Sequence, residues 1–525
     1  MDLHGYRNFA GRRAVFAAAL VVLMSGCSMH KVERREISPD EFKSWPDESV
    51  QKARKDSPFL KVHMRNGDLF VLDEWRFDET HSSVLGIGAH YDAWRDPVGA
   101  GGNQSVPVDS VALFETNRLV LSGAAVGLTV MMGVTVGIAI YCAANPKACF
   151  GSCPTFYLAG IDRPVAEGFS ASISPSLEAT DIDALPAGIF HPGPFVVEMK
   201  NEAMETHVVR HVDLLAAPRY RGQPVFHAGD SRLLAVKDPA PPVAALGDEG
   251  DCLAPLAAAD GVERFVPADS TDLAGKEIVY LTFADASAGP RALVVGCRQT
   301  LLSTYVLYQA FAYMGRDAGY WLSQVERGEI REAGAALSSL FASITVRVES
   351  GPDEWVDVGR VSEFGPIAVD HHVIPFDAPQ NWTGRVALQM TRGGWRIDDV
   401  ALGRAGDEVQ PVRLQPREVL RDGDVDVSAR AILLDPARSL TTLPGDAYRL
   451  VYDLPDDGTT YDLFLESRGY YLEWIRNEWI DEEDGALLTE LFVDPHAGLR
   501  RMAPEFKRLE PDMERVFWSS RYAKP

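Results

Sequence analysis

Cysteine thiols are the groups of this 525-residue chain whose type and spacing could most directly do chemistry. Cys149 and Cys153 are separated by three residues, a spacing that can close a small disulfide. It is one residue longer than the Cys-x-x-Cys redox pattern and precedes a predicted strand, which disfavours oxidoreductase chemistry. Cys142 adds a third thiol, but no second cysteine pair or nearby histidine completes four metal ligands. We therefore rank a structural disulfide first, metal second and redox chemistry third, and predict a second disulfide between Cys252 and Cys297.

Two histidine-containing segments carry side chains of the metal-ligand type. A strand period of two places four residues on one face: Glu205, His207, Val209 and His211. Because Val209 interrupts this row and no fourth ligand is evident, a polar surface strand is the preferred interpretation. Asp370, His371 and His372 are adjacent, and adjacent strand residues point to opposite faces, which argues against joint chelation. The sequence therefore predicts no metal site and no cofactor.

Catalytic motifs are missing from the sequence. It contains no His-Glu-x-x-His, no Gly-x-Ser-x-Gly, no phosphate loop and no Gly-x-Gly-x-x-Gly after a predicted strand. A hydrolase that uses two carboxylates stays open, because 75 acidic residues always offer pairs. A protein without enzymatic activity is therefore the preferred interpretation.

Composition excludes two classes of protein. An apolar fraction of 46% excludes global disorder, and the length of 525 residues indicates three or four domains. The net charge of −24 repels nucleic acid and anionic lipid headgroups, so a nucleic-acid partner is disfavoured.

The first 27 residues are typical of a targeting segment. Three arginines precede a short apolar stretch over 14–23, and Met24, Ser25, Gly26 and Cys27 follow it. This tetrapeptide resembles a bacterial lipobox, although Met24 stands where the pattern usually has Leu. The resemblance implies that Cys27 is lipidated and becomes the mature N-terminus. Ser28 resembles the residue after the cysteine in lipoproteins sent to the outer membrane. The expected location is therefore the cell envelope, on the periplasmic or surface face of the outer membrane.

An uncharged apolar run over 119–142 predicts a long helix. Such a helix would be about 36 Å long, against a hydrocarbon core of about 30 Å. Two small-xxx-small pairs would allow close helix–helix approach: Gly123 with Gly127, and Gly133 with Gly137. Membrane insertion or self-association is the first interpretation, and a helix buried between two β domains is the second. A single crossing would also move all residues after 147 to the opposite side of the membrane from Cys27.

The pattern of apolar and polar residues along the rest of the chain predicts a multidomain, mainly β protein. It would consist of a small antiparallel barrel plus β-sandwich modules, with one long apolar helix and C-terminal helices. The predicted organisation is a signal peptide (1–27), a tether (28–58), a small β-barrel-like domain (59–117), the apolar helix (118–142), a β-sandwich domain (143–285), helices plus a second β-sandwich-like domain (286–425), and a β-hairpin with a C-terminal helical region (426–525).

Three short segments resemble known families. The stretch Asn-Pro-Lys-Ala-Cys-Phe-Gly-Ser-Cys-Pro at 145–154, together with the lipobox, resembles a motif of uncharacterised bacterial envelope lipoproteins. The strand pair at 195–211 resembles immunoglobulin-like sandwiches of bacterial surface proteins. Residues 393–402 resemble the closing strand of carbohydrate-binding jelly rolls. None of these resemblances implies a catalytic residue.

These observations support three hypotheses of function. The first is a non-enzymatic envelope lipoprotein that acts as a scaffold or binds an envelope protein partner, held to the membrane by its lipid and the apolar helix and able to form a homo-oligomer through that helix. The second is a carbohydrate-binding surface lipoprotein in which Trp382 or Trp395 stacks on a glycan. The third is a thiol-active envelope protein that uses Cys149 and Cys153.

Overall fold

The computed structural model describes most of the chain, in two compact units. The described residues are 30–37, 39–46, 50, 52, 59–64, 68–78, 80–91, 98–121, 153–161, 163–173, 177–203, 205–229, 231–315, 340, 343–351, 354–362, 365–473 and 482–519. Cys27, Cys142, Cys149 and the four glycines of the apolar run lie outside these residues.

The first unit is built on one antiparallel sheet, sheet I. Its elements are β1 (His30–Ile37), α1 (Pro39–Lys43), β2 (Phe59–Met64), β3 (Leu69–Phe77), β4 (Ser83–Tyr91), β5 (Gly102–Pro107) and β6 (Val111–Leu121). The strand order is β1-β6-β2-β3-β4-β5. Residues 30–37, predicted to belong to a tether, are paired along their whole length with β6.

Aromatic side chains form the core of the first unit around Phe42 of α1. The Phe42 ring centroid lies 4.2 Å from that of Phe114 and 5.5 Å from that of Trp75. All three side chains are almost completely buried. Burial of such large rings on one face of sheet I is what fixes α1 against it.

The second unit contains all the other described elements. Its strands up to the middle of the chain are β7 (Thr155–Leu158), β8 (Ala166–Glu167), β9 (Ala179–Ala184), β10 (Gly193–Lys200), β11 (Glu205–Pro218), β12 (Val225–His227), β13 (Leu233–Ala240), β14 (Ala244–Gly247), β15 (Gly250–Asp251), β16 (Arg264–Phe265), β17 (Lys276–Thr282) and β18 (Gly289–Gln299). After helix α2 (Leu302–Met314) come β19 (Ser343–Gly351), β20 (Glu354–Ser362), β21 (Asp370–Ala378), β22 (Arg385–Thr391), β23 (Trp395–Glu408), β24 (Val412–Leu414), β25 (Glu418–Arg421), β26 (Asp424–Val425), α3 (Val427–Leu433), β27 (Leu440–Thr442), β28 (Ala447–Leu454), β29 (Tyr461–Glu473), α4 (Gly485–Val493) and α5 (Pro495–Ser519).

Sheets II and III form the first sandwich of this unit. Sheet II has the order β26-β25-β28-β10-β7-β8, and sheet III has the order β24-β11-β29-β9. Alternate residues of both sheets, such as Val197, Tyr452 and Leu465, share one buried apolar cluster. The strands come from both ends of the unit, so the predicted modules 143–285 and 426–525 share these two sheets.

Sheets IV and V form a second sandwich from the residues between those two ends. Sheet IV has the order β13-β12-β21-β18-β23-β16, and sheet V has the order β15-β14-β17-β22-β19-β20. A further pairing of β13 with β23 closes five strands of sheet IV into a ring. Small side chains such as Ala292, Ala401 and Ala405 lie in a separate apolar cluster of this sheet, as a narrow barrel requires.

Helices α2, α4 and α5 pack into one apolar layer. Tyr305 of α2 and Phe506 of α5 are buried, with ring centroids 5.1 Å apart. Arg298 of β18 donates to Glu514 of α5 from Nη2 at 2.9 Å and to Glu263 from Nε at 2.6 Å. This ion network ties the C-terminal helix to sheet IV.

The mainly β class and the C-terminal helices are confirmed, but the long apolar helix is not found among the described residues. Residues 119–121, at its predicted start, are the end of strand β6, and residues 122–142 lie outside the described part. Backbone pairing explains the difference, because Leu119, Val120 and Leu121 pair with the first three residues of β1. No helix among the described residues is long and apolar enough to cross a membrane.

A closed barrel of five strands is present in the second unit. Residues 59–117 form most of the open sheet I, whereas the ring closes in sheet IV, within 225–408.

Truncation of a helix contact should destabilise the second unit. Phe506 is 2% exposed, so we expect Phe506→Ala to lower the free energy of unfolding by about 3–5 kcal/mol. The matched control Val493→Ala changes a side chain that is 79% exposed and should alter it by less than about 0.5 kcal/mol. Urea unfolding followed by circular dichroism measures both. Equal effects of the two substitutions would contradict the packing of α5.

Candidate functional site

The predicted disulfides are not formed in the described residues. Cys153, Cys252 and Cys297 are free, buried thiols. Cys252 and Cys297 belong to the apolar core between sheets IV and V, where each behaves as a small apolar side chain. Burial also raises the pKa of the Cys153 and Cys297 thiols well above their ordinary value, which makes both poor nucleophiles. The predicted pairing of Cys252 with Cys297 is therefore wrong.

The two tryptophans predicted to stack on a glycan lie in the same core. Trp382 is 4% exposed and Trp395 is 2% exposed. The Trp382 Nε1–H donates to the carbonyl oxygen of Arg385 at 3.0 Å, and its ring packs edge-on against Phe376. Neither indole face is available to a ligand, so the predicted stacking role is wrong for both residues.

Strand β11 is buried on both faces, contrary to the predicted polar surface strand. Glu205 and His207 are both 0% exposed, and the carboxylate of Glu205 lies 3.2 Å from Nε2 of His207. Sheet II covers one face of β11, and other elements of the unit cover the opposite face. A shift of register between Val209 and His211 takes His211 out of the predicted row.

His211 belongs instead to a small ion network. Its Nε2 lies 3.0 Å from Oε1 of Glu466, and Asp213 completes a group of three possible metal ligands. The guanidinium of Arg413 donates to both carboxylates, at 2.8 Å to Asp213 Oδ2 and at 2.8 Å to Glu466 Oε2. These partners hold the pKa of Glu466 at about 2, although burial opposes the shift. The positive charge at this cluster is therefore supplied by the chain itself.

A second group of possible ligands consists of His227, Asp370 and His372, which we call the joint cluster. One ligand atom from each residue lies within 4.8 Å of the others. The side chains are buried: His227 is 8% exposed, Asp370 2% and His372 7%. His227 is the last residue of β12 and pairs with His372 in the parallel register of β12 and β21. Asp370 and His372 are two residues apart on β21, which places both on one face of the strand.

The Asp370 carboxylate is oriented by backbone amides. Its Oδ1 accepts hydrogen bonds at 2.8 Å from the N–H of Ala184 and at 2.8 Å from the N–H of His371. Its Oδ2 lies 2.9 Å from Nε2 of His372. Although burial opposes it, the charges of His372 and His227 lower the pKa of Asp370. Because Ala184 ends β9, this carboxylate joins the edge of sheet III to sheet IV.

Two further carboxylates lie close to the joint cluster on β9. Burial and the charge of Asp370 raise the pKa of Asp181 to about 7. Burial and the charges of Asp181, Asp370 and Glu167 raise the pKa of Asp183 well above its ordinary value. The buried Oδ2 of Asp183 has no hydrogen-bond partner among the described residues. Burial and mutual repulsion therefore favour the protonated, neutral form of both carboxyl groups.

Two imidazoles and one carboxylate are a ligand set that suits Zn²⁺ or Fe²⁺. The adjacency of Asp370, His371 and His372 in the sequence argues against joint chelation by all three. The period-two pair Asp370 and His372 was the signal available, because these residues share a strand face. His227 could not be identified as their partner, because it lies far away in the sequence and the parallel contact of β12 with β21 is not encoded locally.

Comparisons with known proteins give little support for a function. No protein-family model and no curated protein matches this chain. Among solved structures, arabinofuranosyltransferase AftD from Mycobacteria is similar at 12% identity and a TM-score of 0.17; the match covers 78% of this chain but 30% of that one. An allantoicase is similar at 10% identity and a TM-score of 0.16, over 51% of this chain and 98% of that one. An exo-β-1,3-galactanase from Phanerochaete chrysosporium is similar at 8% identity and a TM-score of 0.14, over 63% and 82% of the two chains.

The raised pKa of Asp181 predicts a specific pH dependence in chelator-containing buffer. In the folded state the carboxyl group of Asp181 keeps its proton up to about pH 7. In the unfolded chain the same group loses its proton near the ordinary pKa of 3.8. The contribution of Asp181 to stability is therefore present at low pH and is lost as the pH rises between these two values. We expect Asp181→Asn to gain stability relative to the wild type over this interval.

Urea midpoints at a series of pH values measure the difference between Asp181→Asn and the wild type. A constant offset is expected in addition, because Asp181 accepts hydrogen bonds from the N–H groups of Phe169 and Ile182. A difference that stays the same between about pH 4 and about pH 7 would show that Asp181 is ionised throughout.

Proposed function

We propose that this protein is a non-enzymatic cell-envelope lipoprotein whose second unit binds a protein partner through the outer face of sheet V. In this proposal Cys27 carries the lipid that holds the protein to the outer membrane. The glycines of the apolar run, Gly123, Gly127, Gly133 and Gly137, mediate self-association. Sheet V supplies the recognition surface.

The observation that carries the proposal is a cluster of aromatic rings around Arg385 on sheet V. The Arg385 guanidinium carbon lies 5.4 Å from the ring centroid of Trp355 and 5.9 Å from that of Tyr280. The two ring centroids are 5.4 Å apart. Tyr280 and Arg385 alternate with core residues on β17 and β22, so both lie on the face turned away from the sandwich core.

The types of these side chains suit a protein partner. Trp, Tyr and Arg are the residues most enriched at binding hot spots, where a rigid ring is desolvated at the centre of an interface. Nη1 of Arg385 also donates to Oε1 of Glu349 at 2.6 Å, which holds the guanidinium near the two rings. Since the chain carries a net charge of −24, a partner with basic groups around an apolar centre is electrostatically complementary.

A carbohydrate ligand is the second candidate function, and the same cluster supports it. Trp382 and Trp395 are buried, but Trp355 and Tyr280 are partly exposed and offer ring faces on the outer surface of sheet V. Stacking on a sugar ring would use these residues instead. The two candidates differ in the chemistry of the ligand and not in the surface.

Substitution of Trp355 tests the proposal. The full-length protein and its Trp355→Ala variant are cross-linked in intact envelopes, and the partners are quantified by mass spectrometry. We expect Trp355→Ala to weaken binding of the partner by about 30-fold, the effect of losing a hot spot of about 2 kcal/mol. The matched control is Tyr220→Ala, which removes an aromatic side chain that is 63% exposed and does not belong to sheet V.

Each outcome separates the candidates. Loss of one cross-linked protein in Trp355→Ala but not in Tyr220→Ala supports a protein partner. Retention on an oligosaccharide column that disappears with Trp355→Ala supports the carbohydrate alternative. Identical behaviour of both variants and the wild type in both assays would contradict a binding role for sheet V.

A further inference from the structure

We propose that the joint cluster of His227, Asp370 and His372 binds one divalent transition-metal ion on the barrel, at the point where Asp370 also accepts a hydrogen bond from Ala184 of the first sandwich. This inference is independent of the surface on sheet V and goes beyond the proposed function. It assigns a ligand to three side chains that lie together in the interior of the second unit.

Geometry is the first argument for the ion. Two ligand atoms bound to Zn²⁺ at about 2.0–2.1 Å with tetrahedral angles are about 3.3 Å apart. The ligand atoms of the joint cluster lie within 4.8 Å of one another, and Asp370 Oδ2 and His372 Nε2 are 2.9 Å apart. Small side-chain rotations therefore bring all three atoms to metal-binding distances.

The surroundings of Asp370 are the second argument. The N–H groups of Ala184 and His371 bind Oδ1, which leaves Oδ2 on the side of the two imidazoles. Outer hydrogen bonds of this kind orient a metal-binding carboxylate and are a regular feature of metal centres.

Charge is the third argument. Asp181, Asp183 and Asp370 are close enough to influence one another, and none of the three forms an ion pair with a lysine or arginine among the described residues. Asp183 is 3% exposed, and its buried Oδ2 has no hydrogen-bond partner in the part of the chain that the structure describes. Burial of an ionised carboxylate without compensating charge is strongly unfavourable, and a divalent ion would supply at Asp370 the positive charge that His372 and His227 supply only when they are protonated.

The cluster of His211, Asp213 and Glu466 is a natural internal comparison. It also offers three possible ligands, but Arg413 donates to both of its carboxylates, at 2.8 Å in each case. Its negative charge is thus balanced by the chain. The contrast indicates that the joint cluster, and not this second group, takes an ion.

The ligand types define the class of ion. Imidazole nitrogen suits Zn²⁺, Fe²⁺, Co²⁺ and Ni²⁺, whereas Ca²⁺ and Mg²⁺ prefer sites made of oxygen ligands only. The three free cysteines of the described residues lie in apolar core clusters and are not members of the joint cluster. The joint cluster therefore offers only nitrogen and oxygen ligands.

Metal content tests the proposal. The full-length protein is purified in detergent without chelator, and its metals are measured by mass spectrometry; Zn²⁺ is then titrated into chelator-treated protein against a chromophoric chelator. We expect about one equivalent of a transition metal per chain and a rise in melting temperature on metal addition. His227→Gln should weaken Zn²⁺ binding by more than about 100-fold, because loss of outer-shell partners alone costs about 10–100-fold.

Two further variants keep the result interpretable. Asp370→Asn retains an oxygen that can accept from the N–H groups of Ala184 and His371, so it should fold but bind Zn²⁺ weakly. His211→Gln alters the second cluster and should bind Zn²⁺ as the wild type does. Wild-type protein that holds no transition metal before or after titration, or a His227→Gln variant that binds like the wild type, would overturn the proposal.

Discussion

The arrangement of the second unit depends on the interactions that compensate the buried carboxylate of Asp370. Burying a charge costs several kcal/mol unless hydrogen bonds and opposite charges offset it. Here the amides of Ala184 and His371 bind one oxygen, and His372 contacts the other. Because Ala184 lies on the edge strand of sheet III and Asp370 begins β21 of sheet IV, the compensation is possible only when the two sandwiches are in contact.

The strands of the second sandwich lie, in sequence, between strands of the first sandwich, and this order explains why the contact between the sandwiches is needed. Sheets II and III take strands from both ends of the unit, so the chain must leave the first sandwich after β11 and return to it at β24. An apolar cluster with Leu215 and Phe464 of sheet III and Val225 of β12 supports the same contact. Apolar packing holds the surfaces together, and the polar groups of the joint cluster fix their register, since hydrogen bonds are directional and apolar contacts are not.

Local patterns were sufficient for the class of fold and insufficient for its long-range pairing. Alternation such as that of Val346 and Val348 correctly predicts a strand, and the helical spacing of Phe506, Leu509 and Met513 correctly predicts α5, whereas the helical interpretation of Tyr471 is wrong because this residue lies in β29. Residues 119–121, at the start of the apolar run, end β6 and not a helix, because hydropathy does not distinguish a strand from a helix over a few residues. The prediction that Trp382 and Trp395 are exposed is wrong because the sequence does not show which side of a strand or loop packs into the core. The joint cluster required a parallel contact between strands far apart in sequence, which no local signal encodes.

The most direct test of metal binding at the joint cluster is X-ray absorption at the edge of the metal bound to the purified protein. We predict a first shell of nitrogen and oxygen at about 2.0–2.1 Å, with the outer-shell scattering of two imidazoles from His227 and His372. That pattern should disappear in His227→Gln. A shell of sulfur at about 2.3 Å would instead place the ion on cysteine thiolates and would contradict the assignment to the joint cluster.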